Sequence, residues 1–144
     1  MTFVTEVLKA KGRYVWTVSS DSTVYDALQE MADKNVGALL VVEDDKLVGV
    51  FSERDYARKV ILHGKASKDT LVKEIMSTEM FWVRPDETVA GCMELMTNKR
   101  IRHLPVLDEG RLVGVISIGD VVKAVISEKE FVIQQLEQYI TSGR

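Results

Sequence analysis

Two segments of this sequence share one constellation: a glycine, two apolar residues, a serine and, three residues beyond the serine, an aspartate. They are Gly49-Val50-Phe51-Ser52-Glu53-Arg54-Asp55 and Gly114-Val115-Ile116-Ser117-Ile118-Gly119-Asp120. An apolar run ending at Ser reads as a strand feeding a helix N-terminus. One reading is a capping box, in which the Ser hydroxyl caps an amide while the Asp reaches back and complements the helix dipole. The other is a ligand site, in which free amides and a hydroxyl meet a phosphate while the carboxylate accepts ribose hydroxyls. Ser can serve both roles, but a carboxylate fully engaged with its own backbone cannot also grip a ribose.

A basic cluster, Lys99-Arg100-Ile101-Arg102-His103-Leu104-Pro105, marks the end of a helix and the start of a strand. It is either a solvated helix end that complements the dipole or a phosphate grip through Arg102 and His103. The corresponding stretch of the first half, Lys34-Asn35-Val36-Gly37-Ala38-Leu39-Leu40, carries no charge after Lys34. The first half offers instead Arg54, Arg58 and Lys59; Arg54 and Arg58, four apart, share one helix face, which points to solvent or to a phosphate. Two ligand sites built from these residues would differ in preference, with the more anionic group near Arg102.

Other chemistry is poorly supplied. The single cysteine, Cys92, lies at helical spacing with Val89, Met93 and Met96 and reads as a packed apolar thiol. His63 and His103 stand far apart without metal-ligand spacing, so no metal site is expected. The sequence has no phosphate loop, no Gly-x-Gly-x-x-Gly and no nucleophile with a recognisable base. The expectation is a protein that is not an enzyme.

The elements that hold these residues follow from an internal repeat. Sliding the chain by 65 residues lays Val18 to Asp55 on Val83 to Asp120 without a gap. Asp21 falls on Asp86, Thr23 on Thr88, Met31 on Met96, Leu39 on Leu104, and Leu47-Val48-Gly49-Val50 on Leu112-Val113-Gly114-Val115. Each copy then reads as a short strand (Tyr14 to Val18; Phe81 to Val83), an amphipathic helix, a hairpin and a second helix. The first helix is carried by Val24, Leu28 and Met31 in one copy and by Val89, Met93 and Met96 in the other, with Thr23 and Thr88 as N-caps. Ser22 competes for the first cap. The hairpins are Ala38 to Phe51 around Glu43-Asp44-Asp45-Lys46 and its counterpart around Asp108-Glu109-Gly110-Arg111. The following helices start at Glu53 and Ile118.

The predicted fold is therefore α+β (α/β in its layering): two β-α-β-β-α repeats packed through their sheets with pseudo-twofold symmetry. The expected boundaries are one paired module over 1–144, with a first motif at 14–62 and a linker with a short helix at 63–78. The second motif covers 79–127 and a C-terminal helix 128–144. In the linker, Leu71 to Met76 forms an amphipathic turn whose first-copy counterpart is Val4 to Leu8. Beyond the repeat, Val125, Phe131, Ile133, Leu136 and Ile140 form an apolar surplus that either covers a partner subunit or folds back on its own module.

The whole-chain balance narrows the function classes. The 144 residues are 46% hydrophobic, enough for a genuine core. A net charge of -3 argues against a protein built to coat nucleic acid. No apolar run approaches the roughly 20 residues that cross a bilayer, and the first residues do not read as a signal peptide, so a cytoplasmic protein without membrane partners is expected.

With its paired Gly-h-h-Ser-x-x-Asp endings and the strand His103-Leu104-Pro105-Val106, the sequence resembles the CBS-domain family, over nearly its whole length. It looks most like small stand-alone bacterial CBS-pair proteins, of which Ser52-Glu53-Arg54-Asp55-Tyr56-Ala57-Arg58-Lys59 is typical. The resemblance implies a regulatory (Bateman) module that binds AMP, ADP, ATP, NAD(H) or S-adenosylmethionine, requires no cofactor, and dimerises to regulate a partner protein. It implies one cleft with Ser117 and Asp120 at phosphate and ribose and with Lys11, Val15 and Trp16 beside the base. The second cleft would combine Ser52 and Asp55 with Ser77, Thr78, Met80 and Phe81. Trp16 and Phe81 are equivalent aromatics, for which core packing is the competing reading. The first half departs from the pattern: Ala38 stands at the His103 position and Leu40 at that of Pro105. The competing function is a structural dimerisation module without a ligand.

Overall fold

The computed structural model describes residues 1–12 and 15–142. Its elements are α1 (Val4–Lys11), β1 (Thr17–Ser19), α2 (Val24–Lys34), β2 (Ala38–Glu43), β3 (Lys46–Ser52), α3 (Glu53–Asp55), α4 (Val72–Ile75), α5 (Val89–Lys99), β4 (His103–Asp108), β5 (Arg111–Ser117) and α6 (Ile118–Ser142). They group into two compact units. The first takes in Met1–Tyr14, Trp82–Asp108 and Val113–Arg144, and the second Val15–Phe81 and Glu109–Leu112.

The second unit is built on a three-stranded sheet in which β1 runs parallel to β2 and β2 antiparallel to β3. The β2–β3 turn is two residues long, with Glu43 opposite Lys46, and both turn residues have positive φ (Asp44 51°, Asp45 64°). That geometry matches the right-handed twist of the flanking strands. Pairing passes from Val41↔Gly49 to Val42↔Leu47, so Val48 is an extra, bulged residue. Val24, Ala27, Met31, Leu39, Val41, Phe51 and Val60 form the core under this sheet.

The first unit repeats the plan at the same offset of 65 residues. Its core contains Val89, Cys92, Met96, Leu104, Val106 and Ile116. The turn that joins β4 to β5 has positive φ at Glu109 and Gly110. The N-caps fall at Thr23, whose hydroxyl accepts from the Asp26 amide, and at Thr88, which accepts from Gly91. Each such cap contributes about 1 kcal/mol. The two helices also end alike, on left-handed residues Asn35 (φ 57°) and Arg100 (φ 56°).

Four elements differ from the expectation. The strand expected at Phe81 to Val83 is reduced to one parallel bridge, Val83 to Val106, in which the Val83 amide donates to the Pro105 carbonyl and the Val83 carbonyl accepts from the Leu107 amide. The strand expected at Tyr14 to Val18 is Thr17–Ser19, and Tyr14 lies outside the described residues. The helix after β3 passes into a π-turn (Tyr56–Val60) and a 3-10 turn (Ile61–His63) and stops at Gly64, whose φ of 69° lets the Lys65 amide reach back to Val60. At the corresponding point α6 carries Lys129 and continues, so the C-terminal helix does not begin at 128 but runs unbroken from Ile118.

The short helices exchange repeats, an arrangement for which the sequence carried no expectation. α1 precedes the first repeat yet packs Val4 and Leu8 into the core built by the second. α4, in the segment between the repeats, packs Val72 and Ile75 into the core of the first. Paired backbone bonds fix both. The Val4 amide donates to Glu87 and Val89 to Thr2, as Val72 donates to Ser22 and Val24 to Thr70. The conserved-looking glycines of the hairpins are required here: a Cβ on Gly114 would lie 2.8 Å from Leu8, and one on Gly49 2.6 Å from Met76 and 3.0 Å from the Ser77 carbonyl.

Candidate functional site

In the first unit, β5 delivers Ser117 to the start of α6, and the glycine at 114 lets α1 lie close enough to bring in Lys11. The Ser117 amide donates to Asp120 Oδ2 (2.9 Å) and the Asp120 amide to the Ser117 hydroxyl (3.1 Å), which is a capping box. Lys11 Nζ donates to the same Oδ2 (2.6 Å) and to the Val115 carbonyl (3.0 Å). Both bonds to the carboxylate fall on Oδ2, and Oδ1 meets no protein donor among the described residues. The Asp120 side chain keeps 22% of its surface exposed. Burial alone would raise its pKa, but Lys11 and the Ser117 amide and hydroxyl outweigh that and hold the carboxyl below its ordinary range.

The basic cluster belongs to the same unit. The Arg102 carbonyl accepts the Ile118 amide (2.8 Å), tying the start of β4 to the start of α6. His103 has a lowered pKa, through partial desolvation first and then the Lys11 ammonium, opposed by Asp120 and reinforced by Arg102. These surroundings favour the neutral imidazole, and a nearby anion would favour the cation. A cavity of about 250 Å³ opens beside Asp120 and Lys11, between α1 and α6, with Glu6, Lys123 and Ser127 on its wall. A larger concavity of about 740 Å³ between α5 and α6 is lined mainly by Met93, Val125, Val132 and Ile133 and has no Ser-Asp pair.

In the second unit the equivalent pair is closed. Asp55 Oδ2 accepts from both the amide (3.0 Å) and the hydroxyl (3.1 Å) of Ser52, and Oδ1 takes Lys59 (3.2 Å). Asp55 is buried and both its oxygens are used. Ser77 exchanges two 2.9 Å backbone bonds with Val50. Thr78 and Arg58 are exposed, and Ser77 and Met80 half-buried. Trp16 and Phe81 are not core residues: they are 39% and 38% exposed, and the Lys34 ammonium sits 4.7 Å from the Trp16 ring centre. Val15 and Trp16, expected beside Asp120, belong to this second unit. The sequence offered Lys59 only as one of the basic residues of this helix, although its spacing of four from Asp55 signalled the pair. Sequence reasoning missed Lys123.

A serine-capped helix start with an aspartate and a lysine beside it, present twice in related form, defines a duplicated module. The CBS-domain family model matches residues 7–62 and 72–127, and the chain belongs to that family. It is 43% identical over 152 residues to the mitochondrial CBS domain-containing protein CBSX3 of Arabidopsis thaliana, covering 99% of this chain and 73% of that protein. Among solved structures, a CBS-domain protein of Burkholderia ambifaria superposes with a TM-score of 0.82 at 53% identity, over 88% of this chain and 95% of that one. The CBS domain pair of protein MJ0100, solved with 5′-methylthioadenosine and S-adenosyl-L-methionine, superposes with a TM-score of 0.76 at 24% identity, over 89% and 98% of the two chains. At that identity the likeness shows the fold.

Proposed function

We propose that this CBS pair is a non-enzymatic sensor of an adenosine-containing ligand such as AMP, ADP, ATP, NAD(H) or S-adenosylmethionine. It requires no cofactor, and it acts as a homodimer on a partner protein to report energy or redox state. The observation that carries the reading is Asp120 Oδ1, which meets no protein donor among the described residues, beside Lys11 and His103. Asp120 can accept a ribose hydroxyl without giving up its cap, while Lys11, His103 and Arg102 meet the phosphate. The opposite arrangement at Asp55 argues for one principal site. Occupancy acts on the partner only through a difference in affinity between two arrangements of the module.

The test is isothermal titration of nucleotide-stripped protein with AMP, ATP, NADH and S-adenosylmethionine. The last is included because a pair of this fold holds it. Binding that Asp120→Ala weakens at least about tenfold and Asp55→Ala spares supports the sensor. No binding of any of the four in a folded protein would leave the structural dimerisation module, in which both Ser-Asp pairs serve only as caps.

A further inference from the structure

The surplus of apolar residues on α6 is arranged as a seam. Ile126, Ile133 and Ile140 recur every seven residues, and Val122, Lys129 and Leu136 stand between them at the complementary heptad position. The five apolar members are 43 to 73% exposed, although the helix packs Val121 into its own core. Residues 122–140 rise about 27 Å along the helix. A solvent-exposed apolar stripe of that length marks an interaction surface. No helix among the described residues is long and apolar enough to cross a membrane.

We infer that this seam pairs antiparallel with the same seam of a second copy of the chain. The charges choose both the partner and the direction. An antiparallel pair with Ile126 opposite Leu136 of the second copy also sets Val122 opposite Ile140 and Lys129 opposite Ile133. Every seam position is then filled in one register. Lys123 falls beside Glu137 of the second copy, twice by symmetry, and Val132 meets its own counterpart on the other flank. Glu130 also meets its counterpart, and the two Lys129 ammonium groups, one residue away, offset that repulsion. A parallel pair in register would stack Lys129 on Lys129 and leave Glu130 and Glu137 against Val125 and Val132, with no opposite charges joined. One lysine in an apolar seam thereby fixes register and direction at some cost in stability.

The inference deepens the homodimer reading, and the experiment separates the two. Sedimentation equilibrium of the full chain is expected to show a dimer whose dissociation constant rises about tenfold or more in Ile133→Asp, an exposed position where the melting temperature holds. Lys123→Glu weakens the dimer, and adding Glu137→Lys restores it. In oxidising conditions Ile126→Cys/Leu136→Cys cross-links two chains, whereas each single variant, which retains the buried Cys92, does not. A monomeric wild type would overturn both the homodimer and the seam. A dimer unaffected by Ile133→Asp and by the charge swap would overturn the seam alone, and a cross-link in either single variant would overturn the antiparallel direction.

Discussion

The two helix starts that follow the two hairpins share their spacing of Ser and Asp, yet their aspartates are committed differently. Asp55 is buried with three bonds from Ser52 and Lys59 spread over both oxygens. Asp120 gathers its bonds on one oxygen and leaves the other at a cavity wall. The difference arises from where the lysine comes from. Lys59 reaches Asp55 from the next turn of the same helix, at i,i+4, and occupies the outer oxygen. Lys11 arrives from a different helix and shares the oxygen that already caps the chain. A capping signature can therefore be structural in one copy and available for ligand in the other, and the repeat alone does not say which.

The largest effect expected from breaking this comparison is on affinity. Asp120→Ala removes a hydrogen bond to a charged acceptor, worth about 1.5–3 kcal/mol, so adenosine-ligand affinity should fall roughly ten- to hundredfold by titration calorimetry. Asp55→Ala should leave affinity within about twofold. It should instead lower unfolding free energy by about 1–2 kcal/mol in urea, because a buried cap is lost and the Ser52 amide is left without its acceptor. Equal loss of affinity in both variants would erase the asymmetry.

Much of this architecture was legible in the sequence. The 3.6-residue period of Val24, Leu28 and Met31, the alternation of apolar runs with polar two-residue turns, and the offset of 65 each fixed an element or a register. The exchange of α1 and α4 was not legible, because nothing local distinguishes a short helix that packs on its own repeat from one that packs on the other. The site residues were named from the Ser-x-x-Asp spacing and the family resemblance. Which aspartate stays open depends on Lys11, far away in the chain, and on burial, and neither has a local signal. The bridge at Val83 was over-read as a strand because an apolar triplet supplies β-propensity without saying how many of its amides find partners.

Lys11 sharpens the comparison at the next level of effect. The Lys11–Asp120 pair is partly solvent-exposed, so Lys11→Met should cost less than about 1 kcal/mol of stability. Its larger consequence should be selective: affinity for AMP and ATP should fall several-fold while S-adenosylmethionine, which has no phosphate, is much less affected. A uniform loss across both ligand types would make Lys11 a support for Asp120 rather than a phosphate contact. Lys59→Met, the corresponding change in the second unit, should leave the affinity of every ligand unchanged.

The smallest effect is a pH dependence confined to the first unit, since the second has Ala38 where the first has His103. The folded-state pKa of His103 lies below its ordinary 6.5, so the unfolded chain binds the proton more readily. Stability should therefore decline as pH falls through the window just below 6.5, and His103→Gln should flatten that slope. A phosphate placed between Lys11 and His103 reverses the balance, because it favours the imidazolium that desolvation and Lys11 disfavour. In an NMR titration the His103 signal should then move to higher pKa when AMP binds. An AMP-saturated protein whose His103 titrates as in the free state would put the phosphate elsewhere and reduce the site to Asp120 and the ribose.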